Sequence, residues 1–309
     1  VFNGEKLETS NRIAMAPMTR SRTSQPGDVP NEMMATYYRQ RATAGLIVTE
    51  GAPISAVGRG YSMTPGIYTK EHIEGWKKVT QAVHEEGGKV FIQLWHVGRR
   101  SHSDISGEQP LAPSAIKVPD QVFGPLPEGG FGMIETEAPR EMTQQDIEQL
   151  IQRFADSALK AEQAGFDGVQ IHAAHGYLLS SFLSPVTNRR SDEYGGELAA
   201  RAHLLLRIVE AVKQAVGPTF AVAVKLNSAD FQQGGFSAEE SRQVAVWLAE
   251  CGIDLLEISG GSYEQPRLLG HQGAADTAEA PRESTRRREA YFLEYAELIR
   301  AAVDIPLMV

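Results

Sequence analysis

The chain has a single cysteine, no long apolar run, no basic excess and no glycine-rich dinucleotide loop, and each shortage removes a class of function. Cys251 alone cannot make an internal disulfide, a multi-cysteine zinc site or an iron–sulfur cluster within this chain. No stretch approaches the roughly 20 apolar residues of a membrane-spanning helix, and no basic-then-apolar leader opens the sequence. No membrane partner is therefore expected, and the expected location is cytoplasmic. The 30 Lys and Arg against 39 Asp and Glu, a net charge of −9, leave no basic face for a nucleic-acid backbone, so no nucleic acid is expected. The one basic cluster, Arg286 to Arg288, sits among acidic residues and reads as solvated surface.

What is present is a core-forming composition, 42% hydrophobic and 22% charged over 309 residues. Short β-rich runs at 12–16, 45–50, 89–95, 167–172, 219–226 and 254–259 alternate with amphipathic stretches near 31–43, 70–86, 144–164, 197–215, 238–250 and 288–302. Thr143 and Ser237 stand where helix N-caps belong, and Gly87, Gly165, Gly217 and Gly252 each close a helical run just before a strand. The repeating unit is strand then helix, which calls for a parallel sheet covered by helices. An α/β (β/α)8 TIM barrel and a doubly wound sheet both meet that demand. No Gly-x-Gly-x-x-Gly follows any strand, so the doubly wound fold loses its best signature and the barrel is favoured. A seventh strand begins at Ile305 and the chain as given stops inside it at Val309, so the last βα units of a complete barrel are expected outside this sequence. Residues 100–142, rich in Pro, Gly and Ser, part the third strand from its helix and are expected to form a lid over the site. No linker divides the chain, so residues 1–309 are expected as one domain.

Strand periodicity then assigns faces. In Ala221 to Asn227, Val222, Val224 and Leu226 share the face that suits helices, which turns Lys225 into the barrel near the C-terminal end of its strand. The same alternation turns Gln93 and Trp95, Gln170 and His172, and Glu257 and Ser259 inward, and so predicts a polar pocket. His172-Ala-Ala-His175-Gly-Tyr177 places two imidazoles and a phenol within six residues. Three chemistries remain open for them: hydrogen-bonded loop histidines, two ligands of a metal that would still need a third, or two neutral N–H donors for a carbonyl oxygen gaining charge. Tyr177, protonated at neutral pH with an ordinary pKa of about 10, can supply a proton beside them.

In order along the chain, Asn11 to Arg20 (NRIAMAPMTR), Leu46 to Gly51 (LIVTEG), Gln93-Leu94-Trp95 continuing to Gly98-Arg99, His172 to Leu179 (HAAHGYLL), Phe182 to Pro185 (FLSP) and Asn188 to Gly196 (NRRSDEYGG) resemble the Old Yellow Enzyme family of FMN-dependent ene-reductases. The resemblance spans essentially the whole chain. It implies a barrel holding FMN at its C-terminal mouth, with Pro17 and Met18 against the ring, Thr19 at the flavin O4, Gly51 near the O4/N5 edge, Gln93 on the pyrimidine edge and Lys225 facing N1 and O2. Many members carry Arg where this chain has Lys225, a point charge without the planar fork. By the same resemblance His172 and His175 bind the substrate's carbonyl oxygen and Tyr177 is the proton donor. NADH or NADPH would reduce the flavin, which passes hydride to the β-carbon of α,β-unsaturated carbonyl or nitro compounds. No metal is implied, and the family's phosphate-binding arginine would lie beyond Val309. The partners expected are small activated alkenes; a homo-oligomer stays open. The competing reading is a flavin-free TIM-barrel metal hydrolase or binding module built on His172 and His175. Arg12 and Arg189 read as structural ion-pair residues.

Overall fold

The computed structural model describes residues 7–262, 264 and 293–309. Arg286 to Arg288 and the start of the last amphipathic stretch lie outside the described residues. Seven parallel strands make the main sheet: β1 (Ala14–Met15), β2 (Leu46–Pro53), β3 (Val90–Trp95), β8 (Gly168–Ala173), β9 (Ala221–Asn227), β10 (Leu255–Ser259) and β11 (Leu307–Met308). They are neighbours in chain order, β1-β2-β3-β8-β9-β10-β11, without the reversal that marks a doubly wound sheet. The fold is therefore of the (β/α)8 barrel type, with seven strands of the barrel sheet in the described residues.

The helices alternate with these strands: α1 (Glu32–Arg39), α2 (Lys70–Glu85), α4 (Gln144–Gln163), α6 (Leu198–Val216), α7 (Ala238–Glu250) and α8 (Leu293–Arg300). α4 shows why they form where they do. Thr143 Oγ1 accepts the Asp146 N–H at 3.2 Å and Asp146 returns the bond to the Thr143 N–H at 2.7 Å. This reciprocal cap satisfies two otherwise orphaned donors and contributes about 1 kcal/mol. Ile147, Leu150, Ile151, Phe154, Ala158 and Ala161 then repeat at helical spacing and are buried. Ser237 and Glu240 cap α7 in the same way. Gly87, Gly165, Gly217 and Gly252 all have positive φ, as the turns into the following strands require.

Two faces of the sheet bury two kinds of core. Val222, Val224 and Leu226 of β9, with Ile92 and Leu94 of β3, belong to the large layer shared with the helices. Phe91, Ala221, Ala223 and Leu255 belong to a smaller cluster inside the barrel with Leu46 and Val48. The inward parity read from the sequence is thus the observed one. Short elements also appear that periodicity did not announce. α5 (Leu178–Leu183) follows the site and is buried throughout. Within 100–142 lie α3 (Ser103–Ser106), β4 (Leu111–Ala112) paired with β7 (Arg140–Glu141), and the antiparallel hairpin β5 (Gln121–Pro125) and β6 (Phe131–Glu135).

Candidate active site

The inward parity, continued toward the C-terminal ends of the strands, replaces apolar side chains by polar ones. Gln93 Nε2 donates to Gln170 Oε1 at 2.7 Å, and Gln170 Nε2 donates to Glu257 Oε2 at 2.6 Å. Lys225 Nζ donates to the other carboxylate oxygen at 2.7 Å. One hydrogen-bonded chain therefore crosses four adjacent strands, and all four side chains are buried. Register explains the order: Gln93 pairs with Gln170, while Lys225 is level with both His172 and Glu257.

Beside this chain, with His172 level with Lys225, lies an aromatic and imidazole cluster. The His172 ring centroid is 5.1 Å from that of His175 and 5.0 Å from that of Tyr177, both edge-on. Trp95 meets Tyr177 edge-on at 4.9 Å and stacks on Tyr61 at 5.6 Å. The Tyr177 and Tyr61 hydroxyls are 2.8 Å apart, and Arg100 Nη1 donates to the Tyr61 oxygen at 2.6 Å while its Nε donates to Asp120 at 2.8 Å. The segment 100–142 thus reaches the cluster through Arg100 and Asp120. Trp95 takes the space over Gly51: a Cβ added there would lie 2.5 Å from the indole, so this close approach requires glycine.

The protonation states follow from burial and charge. Removal from water, then the neighbouring His175 and the Lys225 ammonium, hold the His172 pKa well below its usual 6.5. Desolvation and then Lys225 bring His175 down to about 3. Both rings are neutral near pH 7. His172 Nδ1 accepts the Ala174 N–H at 3.2 Å, which leaves the proton on Nε2. His175 meets Ser259 Oγ through Nε2 at 2.8 Å, so its remaining ring nitrogen is Nδ1. The His175 backbone is held at φ 63°, a left-handed conformation costing on the order of 1 kcal/mol, by its N–H bond to Asn227 Oδ1 at 3.1 Å. Such local strain, paid by a clamp from the end of β9, fits a ring that must face one way.

The stretch after β1 behaves differently. Pro17 is half-buried, Met18 is 45% exposed and Thr19 is exposed, and none of the three makes a side-chain hydrogen bond among the described residues. Their loop is nevertheless tied down. Glu50 Oε2 accepts the N–H groups of Arg20 and Ser21 at 2.9 and 3.2 Å from beneath, with burial pushing the Glu50 pKa up. The structure gathers His172, His175 and Tyr177 in one ring cluster and Gln93 and Lys225 in one hydrogen-bonded chain, sets Lys225 level with His172, pairs Gly51 with Gln93 in register, and leaves Pro17 half-buried and Met18 and Thr19 exposed. Tyr61, Arg100, Glu50 and Asn227 were not singled out from sequence. Tyr61 and Arg100 lie in irregular segments, where no periodicity points a side chain. Arg12 and Arg189 make no ion pair among the described residues; the expected pair falls one residue on, where Arg190 bonds Asp192 at 2.5 Å. No group of three or more metal-ligating side chains occurs among the described residues, and no described helix is long and apolar enough to cross a membrane.

Comparison with known proteins converges on one family. The model of the NADH:flavin oxidoreductase / NADH oxidase family matches residues 4–277. An NADH oxidase of Thermoanaerobacter brockii is 34% identical over 98% of this chain and 43% of its own length. A putative 12-oxophytodienoate reductase of Oryza sativa subsp. japonica is 42% identical over 72% of this chain and 55% of its own length. The chain therefore spans about half the length of these curated relatives. The structure of the old yellow enzyme homologue from Zymomonas mobilis superimposes with a TM-score of 0.80 at 36% identity, covering 99% of this chain and 79% of that one. A match to most of the chain, agreeing with the barrel and its order of strands, makes the protein a member of the NADH:flavin oxidoreductase / NADH oxidase family, to which the Old Yellow Enzymes belong.

Proposed function

We propose that the protein is an NAD(P)H-dependent flavin ene-reductase acting on activated alkenes, within a single FMN-binding domain whose lid is residues 100–142. The cofactor of its family is FMN, with a nicotinamide nucleotide as electron donor. The donor set fits that cofactor. A buried amide and a buried ammonium, Gln93 and Lys225, suit the polar pyrimidine edge of a flavin, while the exposed Met18 and the Thr19 hydroxyl offer a rim of mixed character for its ring. The indole N–H of Trp95 is buried with no partner among the described residues, a further polar atom set toward the same end of the barrel. Pro17, Met18, Thr19, Gly51, Gln93 and Lys225 are the residues assigned to the cofactor. Bound FMN supplies the two-electron exchange between nicotinamide and the β-carbon of the alkene.

The protein's own contribution rests on one observation: two neutral imidazoles and a tyrosine ring converge, with the His172 ring centroid 5.1 Å from that of His175 and 5.0 Å from that of Tyr177. His172 offers Nε2–H. His175 offers Nδ1–H when the Ser259 hydroxyl donates to Nε2, so Ser259 would select the tautomer that completes the pair. Two such donors hold a carbonyl or nitro oxygen and stabilise the charge it gains as the β-carbon is reduced. Tyr177 gives its hydroxyl proton to the α-carbon, and the Tyr61 hydroxyl, backed by the Arg100 guanidinium, stabilises the oxygen that gives it up. The metal alternative is less well served, because His172 Nδ1 accepts an N–H and leaves the proton on its other nitrogen, and no third ligating side chain joins the two rings among the described residues. Phenols, whose oxygen mimics the substrate's, test this reading. The His172→Ala/His175→Ala double variant should keep FMN yet lose phenol binding, and undiminished phenol binding would refute the assignment.

A further inference from the structure

The barrel interior places a full carboxylate where packing alone would place an aliphatic side chain. One position earlier on the same parity the interior is closed by Phe91, Ala223 and Leu255, all apolar and buried. Glu257 is only 6% exposed and Lys225 only 7%. Burying an ion pair seldom adds stability over hydrophobic replacements of the same volume, so its presence there calls for another reason. The two oxygens of Glu257 are both used: Oε1 takes the Lys225 bond at 2.7 Å and Oε2 the Gln170 bond at 2.6 Å. Gln170 in turn fixes the amide of Gln93 at 2.7 Å. Thus one carboxylate governs both of the polar side chains assigned to the flavin's pyrimidine edge.

Resting on the FMN reading above, we propose that Glu257 is a positioning residue that sets the redox poise of the bound flavin: it orients Lys225 directly and Gln93 through Gln170, and it offsets the Lys225 charge. A bare ammonium in a low-dielectric site favours the negatively charged, two-electron-reduced flavin strongly. An ammonium paired with a carboxylate presents a dipole, whose field falls off faster with distance. The cradle therefore prefers reduced over oxidised FMN less than its lysine alone would suggest. The neighbouring imidazoles do not restore the cation, because both are neutral.

The test is the FMN midpoint potential of the holoprotein, together with the dissociation constants of oxidised and reduced FMN, in four forms: the wild type, Lys225→Met, Glu257→Gln and the double variant. Glu257→Gln should raise the preference for reduced over oxidised FMN by about tenfold or more, which is about +30 mV for a two-electron couple. Lys225→Met should lower it. In the Lys225→Met background, Glu257→Gln should change the preference less than it does in the wild type, since no ammonium is left for the carboxylate to orient and offset. Glu257→Asp, which keeps the charge, should stay within about threefold of the wild-type preference. A potential unchanged or lowered by Glu257→Gln, while Lys225→Met still shifts it, would overturn this proposal and leave the FMN reading standing. Absence of any bound flavin in the wild type, or indifference to Lys225→Met, would instead strike the FMN reading itself. Glu257→Met removes the same charge and takes the place of the amide variant if that one does not fold.

Discussion

The lower and upper halves of the barrel interior use the same strands and differ completely in chemistry. Phe91 and Gln93 are two residues apart on β3, and so are Leu255 and Glu257 on β10 and Ala223 and Lys225 on β9. The lower member of each pair closes the barrel with hydrocarbon, and the upper member enters a hydrogen-bonded chain. Period-two geometry therefore delivers both stability and a site from one strand, with chain direction deciding which is which. Damage below should appear as lost stability, and damage above as lost chemistry in a folded protein.

The largest effect is expected below. Phe91→Ala empties a fully buried site and should cost about 3–5 kcal/mol of unfolding free energy in denaturant titration. A cost under about 1 kcal/mol would show that the lower layer is not the packed core described. Next comes Tyr177→Phe, which should slow alkene reduction by about a hundredfold while leaving reduction of the flavin by nicotinamide nearly intact. The effect should shrink for nitroalkenes, whose product can be protonated by water. Equal slowing of both half-reactions would turn Tyr177 into a structural residue.

A third contrast is read through pH. The unfolded chain binds a proton at His175 below about 6.5, whereas the folded ring, with its pKa at about 3, refuses it. The pKa is depressed on folding, so the stability it contributes is complete above pH 6.5 and is lost as the pH falls toward 3. His175→Gln should flatten that decline by about one proton, or about 1.4 kcal/mol per pH unit. An unchanged slope would mean the folded His175 is protonated after all. The smallest effect is expected from Tyr61→Phe, which keeps the ring stacked on Trp95 and removes only the hydroxyl beside Tyr177. Alkene reduction should fall by about tenfold or less, with flavin reduction unaffected, as stopped-flow measurement of each half-reaction would show.

Most strands and helices were legible from the sequence because their signals are local: periodicity, capping boxes at Thr143 and Ser237, and terminal glycines. α5 was not, since Leu178 to Leu183 is buried on all sides and carries no amphipathic pattern. The fine structure of 100–142 was also hidden: β4 and β7 pair across a long stretch of chain, and the β5–β6 hairpin, though local, lies in a segment whose Pro, Gly and Ser content reads only as a loop. At the site, alternation alone turned Lys225, Gln93, Gln170 and Glu257 inward. It could not say that they join, since hydrogen bonding across strands depends on register, which a single strand does not encode. Tyr61 needed the folded chain to bring it 116 residues along the sequence to Tyr177. The roles of Pro17, Met18 and Thr19 rest on family resemblance, as no contact of theirs distinguishes them.

On the function proposed, the upper half of this barrel holds FMN and passes electrons from a nicotinamide nucleotide to an alkene. Anaerobic mixing of the purified holoprotein with NADH or NADPH, followed by absorbance near the flavin band, tests it most directly. The expected result is a flavin spectrum that bleaches with at least one donor and recovers on addition of an activated enone. A protein without a flavin spectrum, or one whose band is indifferent to both donors, would contradict it.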